Sequence, residues 1–465
     1  MNSNRGLCLH LAGAICIGLT LRLLLAYVVL PNSGYATDED IFCNWALTLA
    51  KVGPAEFYEK ATFVLYPPVW FYVLWPLGEF SIWLSSVLHT APTIIAHLLI
   101  KVPPILLDEL AAIMIYKIVR DLTEAGRNGA RKALVGALLY LVNPVTWYDS
   151  AVWGQNDAAG ACALLLGVIA LMRWPPEVSS AAAVFAGMIK PQFGVILCPL
   201  VAGVLLKRHL VPLFSTQSDV SMPFAERLQR RDGPVRILTS VLTGVLVFYI
   251  LFAPFGLGFL GFVDQMSRAA LVQPFMTNNA YNLWALIGSP DLSLPFRSPD
   301  ITLLVGSVTA NTVGTLSLLV GLLAGVSRLL WRSDRHSIIV VGAYFSLCLF
   351  MLPTCIHERY LFYTSVFASV LAVMDRKWRF ATVILIITTM INLHGVLTRD
   401  GVGTPNVTQL MFGEAVRSHA VILFAILCNA GLLVFAFLNL RPTMLSVQSR
   451  VDQYPRLDNA AHSGS

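Results

Sequence analysis

Long apolar blocks separated by short charged ones set the pattern of this chain. The blocks cover residues 7–30, 93–119, 134–147, 158–172, 181–189, 193–206, 237–255, 301–326, 338–352, 361–374, 380–393 and 420–438. A helix needs about 20 predominantly apolar residues to span a bilayer, and fewer where neighbouring protein shields its ends. The pattern therefore predicts an all-α polytopic membrane protein with about twelve transmembrane helices, the first of them uncleaved.

Between the blocks, Arg120, Arg127, Arg131 and Lys132 form one basic group, and Lys207, Arg208, Arg227, Arg230, Arg231 and Arg236 a second. Arg328, Arg332 and Arg335, then Arg376, Lys377 and Arg379, form two more, and Arg441 and Arg450 mark the tail. Basic residues of short loops stay in the cytoplasm, which puts all these groups on one side if both termini are cytoplasmic. The parity holds only if the stretch 181–206 divides at Lys190-Pro191-Gln192, where Pro191 supplies the break.

Residues 32–92 are too long for a plain connection and carry runs such as Tyr66-Pro67-Pro68-Val69-Trp70-Phe71-Tyr72. Trp and Tyr at this density suit a membrane interface, so this segment is expected to be a large external loop with one or two helices lying on the surface, a further spanning hairpin being the alternative. Residues 1–440 then form one transmembrane domain, and 441–465 a disordered cytoplasmic tail.

With 56% apolar and only 12% charged residues, and a mean hydropathy of +0.70, the composition excludes an ordinary soluble protein. The net charge of +6 is scattered through loops and gives no nucleic-acid surface. Eight dispersed cysteines show no metal-ligand spacing; only Cys43 and Cys355 fall on the expected outer side, where a bridge between them is an open alternative.

The same topology gathers the unusual polar groups at the outer face. Asp38-Glu39-Asp40 follows the first helix, and Trp153-Gly154-Gln155-Asn156-Asp157 and Lys190-Pro191-Gln192 form outer turns. Asn278-Asn279-Ala280-Tyr281-Asn282 and His357-Glu358-Arg359-Tyr360 lie in later ones. Any one of these suits a solvated turn. Five on one side, flanked by aromatics, suit a site.

In order and spacing, Asp38-x-Asp40-x-Phe42-x-x-Trp45-Ala46, Tyr66-Pro67-Pro68, Lys101 with Asp108, Trp153-Gly154-Gln155-x-Asp157, Lys190-x-Gln192, Asn279-Ala280-x-Asn282-x-Trp284 and His357-Glu358-Arg359-Tyr360 resemble a GT-C glycosyltransferase that uses a polyprenyl-phosphate sugar. Within that class the chain is similar to bacterial mannosyltransferases related to the second mannosyltransferase of GPI-anchor assembly. The resemblance implies transfer of a sugar, expected to be mannose, with inversion, from the lipid phosphate to a hydroxyl of a glycan, glycolipid or protein at the outer face of the plasma membrane. It implies a carboxylate base, Asp40 in first place and Asp38 in second. Arg359, His357 and Lys190 are the expected donor-phosphate groups, and Gln155, Asp157, Asn279, Asn282 and Trp153 the expected sugar or acceptor contacts.

Lys101 and Asp108, at i and i+7 of one apolar run, read either as structural charges paired helix to helix or as a lipid-phosphate site. The acidic segment also suits a divalent metal held by carboxylates and substrate phosphates, but a lipid monophosphate donor needs none, and no cofactor is expected. A transporter or flippase of lipid-linked sugars is the alternative from another class; it would place the polar groups near the midplane. A membrane glycosidase, with paired carboxylates about the scissile bond, is another.

Overall fold

The computed structural model describes residues 2–213, 233–289 and 291–441, so Arg227, Arg230, Arg231, Arg450 and the tail beyond Arg441 lie outside the described residues. The protein is all-α, 76% helical with almost no sheet. Its helices of eight residues or more are α1 (Asn2–Leu24), α2 (Ala36–Lys60), α3 (Phe71–Leu88), α4 (Pro92–Leu99), α5 (Val102–Leu122), α6 (Arg127–Leu141), α7 (Asp157–Arg173) and α8 (Pro176–Ile189). They continue as α9 (Pro191–Leu205), α10 (Val235–Phe252), α11 (Phe259–Ala270), α12 (Ala310–Trp331), α13 (Arg335–Met351), α14 (Phe362–Met374), α15 (Arg376–Leu397) and α16 (His419–Leu438).

Among the described residues, seven helical stretches are long and apolar enough to cross a membrane: Leu9–Val29, Pro68–Leu88, Pro191–Leu210, Val235–Phe255, Ala310–Trp331, Arg376–Leu397 and His419–Leu438. Helices α8, α13 and α14 are apolar but shorter. Burial goes with the short length of α13 and α14. Nearly every residue of α7, α13 and α14 is buried, whereas α10, α12 and α16 expose Leu242, Leu246, Val320, Leu323, Leu427 and Val434. Helices apolar all round belong at the centre of a bundle, and apolar outer faces suit lipid.

The helix ends have local causes. Pro92, Pro176 and Pro191 stand in the first turn of α4, α8 and α9, where a missing N–H costs nothing. Asp334 and Asp375 cap α13 and α15, accepting from Ser337 N at 3.0 Å and Lys377 N at 2.9 Å. Lys190, in extended conformation, separates α8 from α9 at the place the charge pattern requires.

Two segments show detail that the sequence pattern left open. Residues 31–92 are mostly helical: α2 packs along α3, and the stretch Pro68–Leu88 is itself long and apolar enough to span. Phe42, Trp45, Tyr66 and Trp70 bind this hairpin together, with ring centroids 5.4–6.4 Å apart. Part of the aromatic density is the packing of these two helices against each other. Lys101 and Asp108 each pair with a residue of another helix, as a structural helix-to-helix role requires. Lys101 lies between α4 and α5 and turns to Glu39, while Asp108, inside α5, meets Arg22 of α1 at 3.0 Å with both side chains fully buried. The remaining capacity of this pair is filled by Tyr140 Oη, which donates to Asp108 at 2.8 Å, and by Leu141 O and Thr146 Oγ1, which accept from Arg22 at 3.0 Å. Cys43 and Cys355 are both free thiols.

The bundle is polar in the electrical sense. At one end Arg173 pairs with Asp121, Arg335 donates to the Asp121 carbonyl at 3.0 Å, and Arg236 meets Glu177 at 2.9 Å. At the other end lie the acidic segment and the polar turns.

Removing one partner of a buried pair strands the other charge, at a cost of about 3–5 kcal/mol. Asp108→Ala is expected to lower the thermal midpoint of the purified protein in detergent strongly, and Arg22→Met with Asp108→Leu to recover most of the loss. An unchanged midpoint for Asp108→Ala would contradict a structural role for the pair.

Candidate active site

Three turns and one helix start meet at the end of the bundle opposite the basic loops. Asp157 opens α7, where a carboxylate is favoured by the helix dipole. Gly160, one turn on, has no side chain; a Cβ there would overlap the Phe193 ring of α9. That close approach brings Lys190, just ahead of α9, against Asp157: Lys190 Nζ lies 2.6 Å from Asp157 Oδ1 and 3.4 Å from Gln155 Oε1. It also sits 5.2 Å from the centre of the Tyr66 ring.

Arg359 enters from the turn before α14, whose place is set by a short parallel pairing of β1 (Thr277–Asn278) with β4 (Ile356–His357). Its guanidinium lies 2.9 Å from Glu358, 3.7 Å from Asp157 and 3.8 Å from Asp38. From α14, Tyr363 Oη donates to Asp157 Oδ1 at 3.4 Å. The Trp153 ring stacks on Tyr35 at 5.5 Å and lies 6.0 Å from the Arg359 guanidinium.

Asp38 is the member of this network that is open to solvent, its side chain 23% exposed while those of Asp157, Lys190 and Arg359 are 0%, 3% and 9% exposed. Its protein contacts converge on one oxygen. Gln155 Nε2 donates to Oδ2, Trp153 Nε1 donates to Oδ2 at 3.4 Å, and Arg359 approaches Oδ2. Oδ1 takes none of these bonds.

The neighbouring carboxylates go elsewhere. Asp40 stands two residues on, about 200° around the helix, and its Oδ1 meets His97 Nε2 at 3.0 Å on an exposed face. Glu39 packs between Gly34 and Gly154 and pairs with Lys101 at 3.2 Å; Lys101 also donates to Ser33 Oγ at 3.1 Å and Val152 O at 3.2 Å. The three acids of the segment thus have three different partners and do not converge on a shared cation site. No group of three or more His, Cys, Asp or Glu suited to a metal occurs among the described residues.

Electrostatics follow from this pairing. Burial disfavours the Arg359 charge, but Asp38, Glu358 and Asp157 more than offset it and hold its pKa well above the usual range. Burial likewise opposes ionisation of Glu358, yet the His357 hydrogen bond and Arg359 bring its carboxyl below the usual range. Behind them, Asp149 is fully buried with neither oxygen hydrogen-bonded; burial and then the Asp157 charge push its carboxyl well up.

The polar residues singled out from sequence therefore divide. Asp38, Trp153, Gln155, Asp157, Lys190 and Arg359 come together, and His357 borders them through Glu358, 3.8 Å away. Asp40 does not join them. Asn279 and Asn282 direct their side chains to backbone: Asn279 Oδ1 accepts from Phe296 N at 3.2 Å, and Asn282 donates to Phe350 O at 3.0 Å while capping Trp284 N at 3.1 Å. They hold the loop that positions His357 and Arg359. Tyr35, Asp149 and Tyr363 are site neighbours that the sequence reading missed. Tyr363 had one available signal, its place one helical turn after Arg359.

Gly154 has φ +83°, and a Cβ there would come 2.7 Å from Glu39 Oε1. Gly154→Ala combines left-handed strain of about 1–2 kcal/mol with displacement of Glu39. It is expected to lower the thermal midpoint and impair whatever activity Asp38 supports, whereas Gly431→Ala, where a Cβ meets nothing within 4 Å, leaves both near wild type. The chain matches no protein-family model and no curated protein.

Proposed function

We propose that the protein is a membrane glycosyltransferase that moves a sugar from a polyprenyl-phosphate donor to an acceptor hydroxyl, with inversion, at the extracytoplasmic end of the bundle. The reading is supported above all by Asp38, a carboxylate held by Gln155, Trp153 and Arg359 through one oxygen and open at the other. A base for hydroxyl attack needs that combination of fixed orientation and a free acceptor atom.

In the proposed step the acceptor oxygen forms a bond to the anomeric carbon while its proton passes to Asp38 Oδ1. The bond from that carbon to the phosphate oxygen breaks, and its electron pair stays on the phosphate. Lys190 and Arg359 stabilise the negative charge gathering beside them, as fixed cationic donors do in a water-poor site. Trp153 and the Tyr66 ring supply flat apolar faces next to these charges, suited to a sugar ring. Mannose is the expected sugar, and a glycan, glycolipid or protein the acceptor.

The charge asymmetry of the bundle supports the orientation, with the basic end cytoplasmic and the site outside. The shorter helices α7, α8, α13 and α14, shielded by the outer ones, count as spans in this reading along with α1, α5 and α6, which brings the crossing number near twelve with the α2–α3 hairpin on the outer side. A transporter would need its polar groups at mid-membrane. The charge buried deepest in the apolar run of α5, Asp108, is instead fully engaged by Arg22 and Tyr140.

The base assignment is tested in proteoliposomes supplied with decaprenyl-phosphate mannose. Asp38→Asn is expected to lose at least about a hundredfold in rate, within the 10²–10⁴ typical of a general base. Asp40→Asn should stay within a few fold of wild type, because its partner is His97. Full activity of Asp38→Asn, or abolition by Asp40→Asn alone, would overturn the assignment.

A further inference from the structure

Three acids stand in a row at the start of α2, and of these Asp38 alone faces the cluster. Successive helix residues are about 100° apart, so a modest rotation of α2 would carry Asp38 away from its donors. Those donors, Trp153 and Gln155, belong to a different segment. Asp38 keeps them only if that segment and the start of α2 hold one spacing.

One buried ammonium reaches both segments. Lys101, in the turn between α4 and α5, is 4% exposed and lies 3.2 Å from Oε1 of Glu39, itself 7% exposed. It also donates to Ser33 O, to Ser33 Oγ at 3.1 Å and to Val152 O at 3.2 Å. Ser33 stands five residues before Asp38, and Val152 immediately before Trp153. Lys101 therefore ties the approach to the carboxylate to the approach to its donors, while its counter-charge is the residue next to that carboxylate.

The surroundings leave Glu39 one place to go. A Cβ on Gly34 would overlap its carboxyl, and one on Gly154 would come 2.7 Å from Oε1. Tyr35 N donates to Trp153 O at 3.3 Å and the two rings stack, closing the same pair of segments from the other side. Helix α4 adds a contact from His97, one turn before Lys101, to Asp40 at 3.0 Å, but on an exposed face, where such pairs are weak. A buried pair cannot be parted without stranding a charge, so it is the Glu39 contact that decides the rotation.

We infer that Lys101 and Glu39 are positioning residues, a buried ion pair that locks the rotation of α2 so that Asp38, and not Asp40, meets Gln155, Trp153 and Arg359. As the positioning of a catalytic base, this rests on the function proposed above. As a lock on α2 it does not.

The test has two readouts on the full chain. In proteoliposomes with decaprenyl-phosphate mannose, Glu39→Gln and Lys101→Met are each expected to lose about tenfold or more in kcat, as small misplacements of a reacting group do, with the donor KM within about twofold. Lys101→Arg should retain part of the rate. Lys101→Met with Glu39→Leu removes both charges together, so neither is stranded, and should stay slow with a thermal midpoint near wild type. In an Asp38→Asn background, adding Glu39→Gln should lower the remaining rate by less than about twofold, because the group it orients is gone. Losses that multiply in that background, or wild-type rates in Glu39→Gln and Lys101→Met, overturn the positioning role.

The second readout needs no activity. With the thiol cross-linker dibromobimane, Asp38→Cys with Gln155→Cys is expected to link and Asp40→Cys with Gln155→Cys to stay unlinked, and adding Lys101→Met with Glu39→Leu should abolish that preference. An unchanged preference overturns the lock. A preference that needs Lys101 and Glu39, in a chain that transfers no sugar, would keep the lock and remove the transferase reading. Sugar transfer by the wild-type chain, with rate and preference both unaltered by the substitutions, would do the reverse.

Discussion

The contact between Lys190 and Asp157 carries more of this structure than any other. Both side chains are out of water, where neither charge is tolerable alone, so the 2.6 Å pairing obliges the break between α8 and α9 to meet the start of α7. Arg359 can then reach Asp157 only if the turn before α14 comes to the same point, and the β1–β4 pairing with the Asn279 and Asn282 bonds holds it there. Once these groups are in place, Gln155 and Trp153 present donors to a single oxygen of Asp38. The acidic segment is thereby oriented by charges buried beneath it.

The same rule operates along α5. Arg22 and Asp108 are both fully buried, and Tyr140, Thr146 and a backbone carbonyl fill their remaining hydrogen-bonding capacity. Lys101, two turns outward, is matched by Glu39. Burial and the Lys101 charge act on Glu39 in opposite directions, and burial prevails, leaving its carboxyl above the usual range. The chain thus carries one network of paired charges in the bundle interior and a second at its end, where Asp38 leaves one carboxylate oxygen open.

Much of this arrangement was legible in the sequence because it follows from charge placement. The basic loops alone implied that Asp38, Gln155, Asp157, Lys190 and Arg359 share one end, and that α8 and α9 must part at Lys190. Composition and apolar blocks implied the all-helical bundle. What was not legible depends on rotation about a helix axis or on tertiary partners. Asp38 and Asp40 look equivalent in a row of acids, yet two residues of α2 turn one into the cluster and the other towards His97. Asn279 and Asn282 look like sugar ligands, but their side chains hold backbone. That Lys101 and Asp108 need partners on other helices follows from their place in an apolar run, but the partners themselves, Glu39 and Arg22, depend on tertiary packing. Residues 31–92 carried interfacial aromatics, and these turned out to pack against one another.

An oriented carboxylate with one open oxygen, at the end of the bundle away from its basic loops, is the feature on which the proposed transfer from a phosphate-bearing donor rests. The most direct measurement is donor use by the purified wild-type chain in proteoliposomes. The account predicts transfer of radiolabelled mannose from decaprenyl-phosphate mannose to an envelope-derived acceptor extract, at a rate unaffected by chelation of divalent cations and with none from the nucleotide sugar. Transfer from the nucleotide sugar alone, or passage of the intact lipid-linked sugar across the bilayer without cleavage, would contradict it.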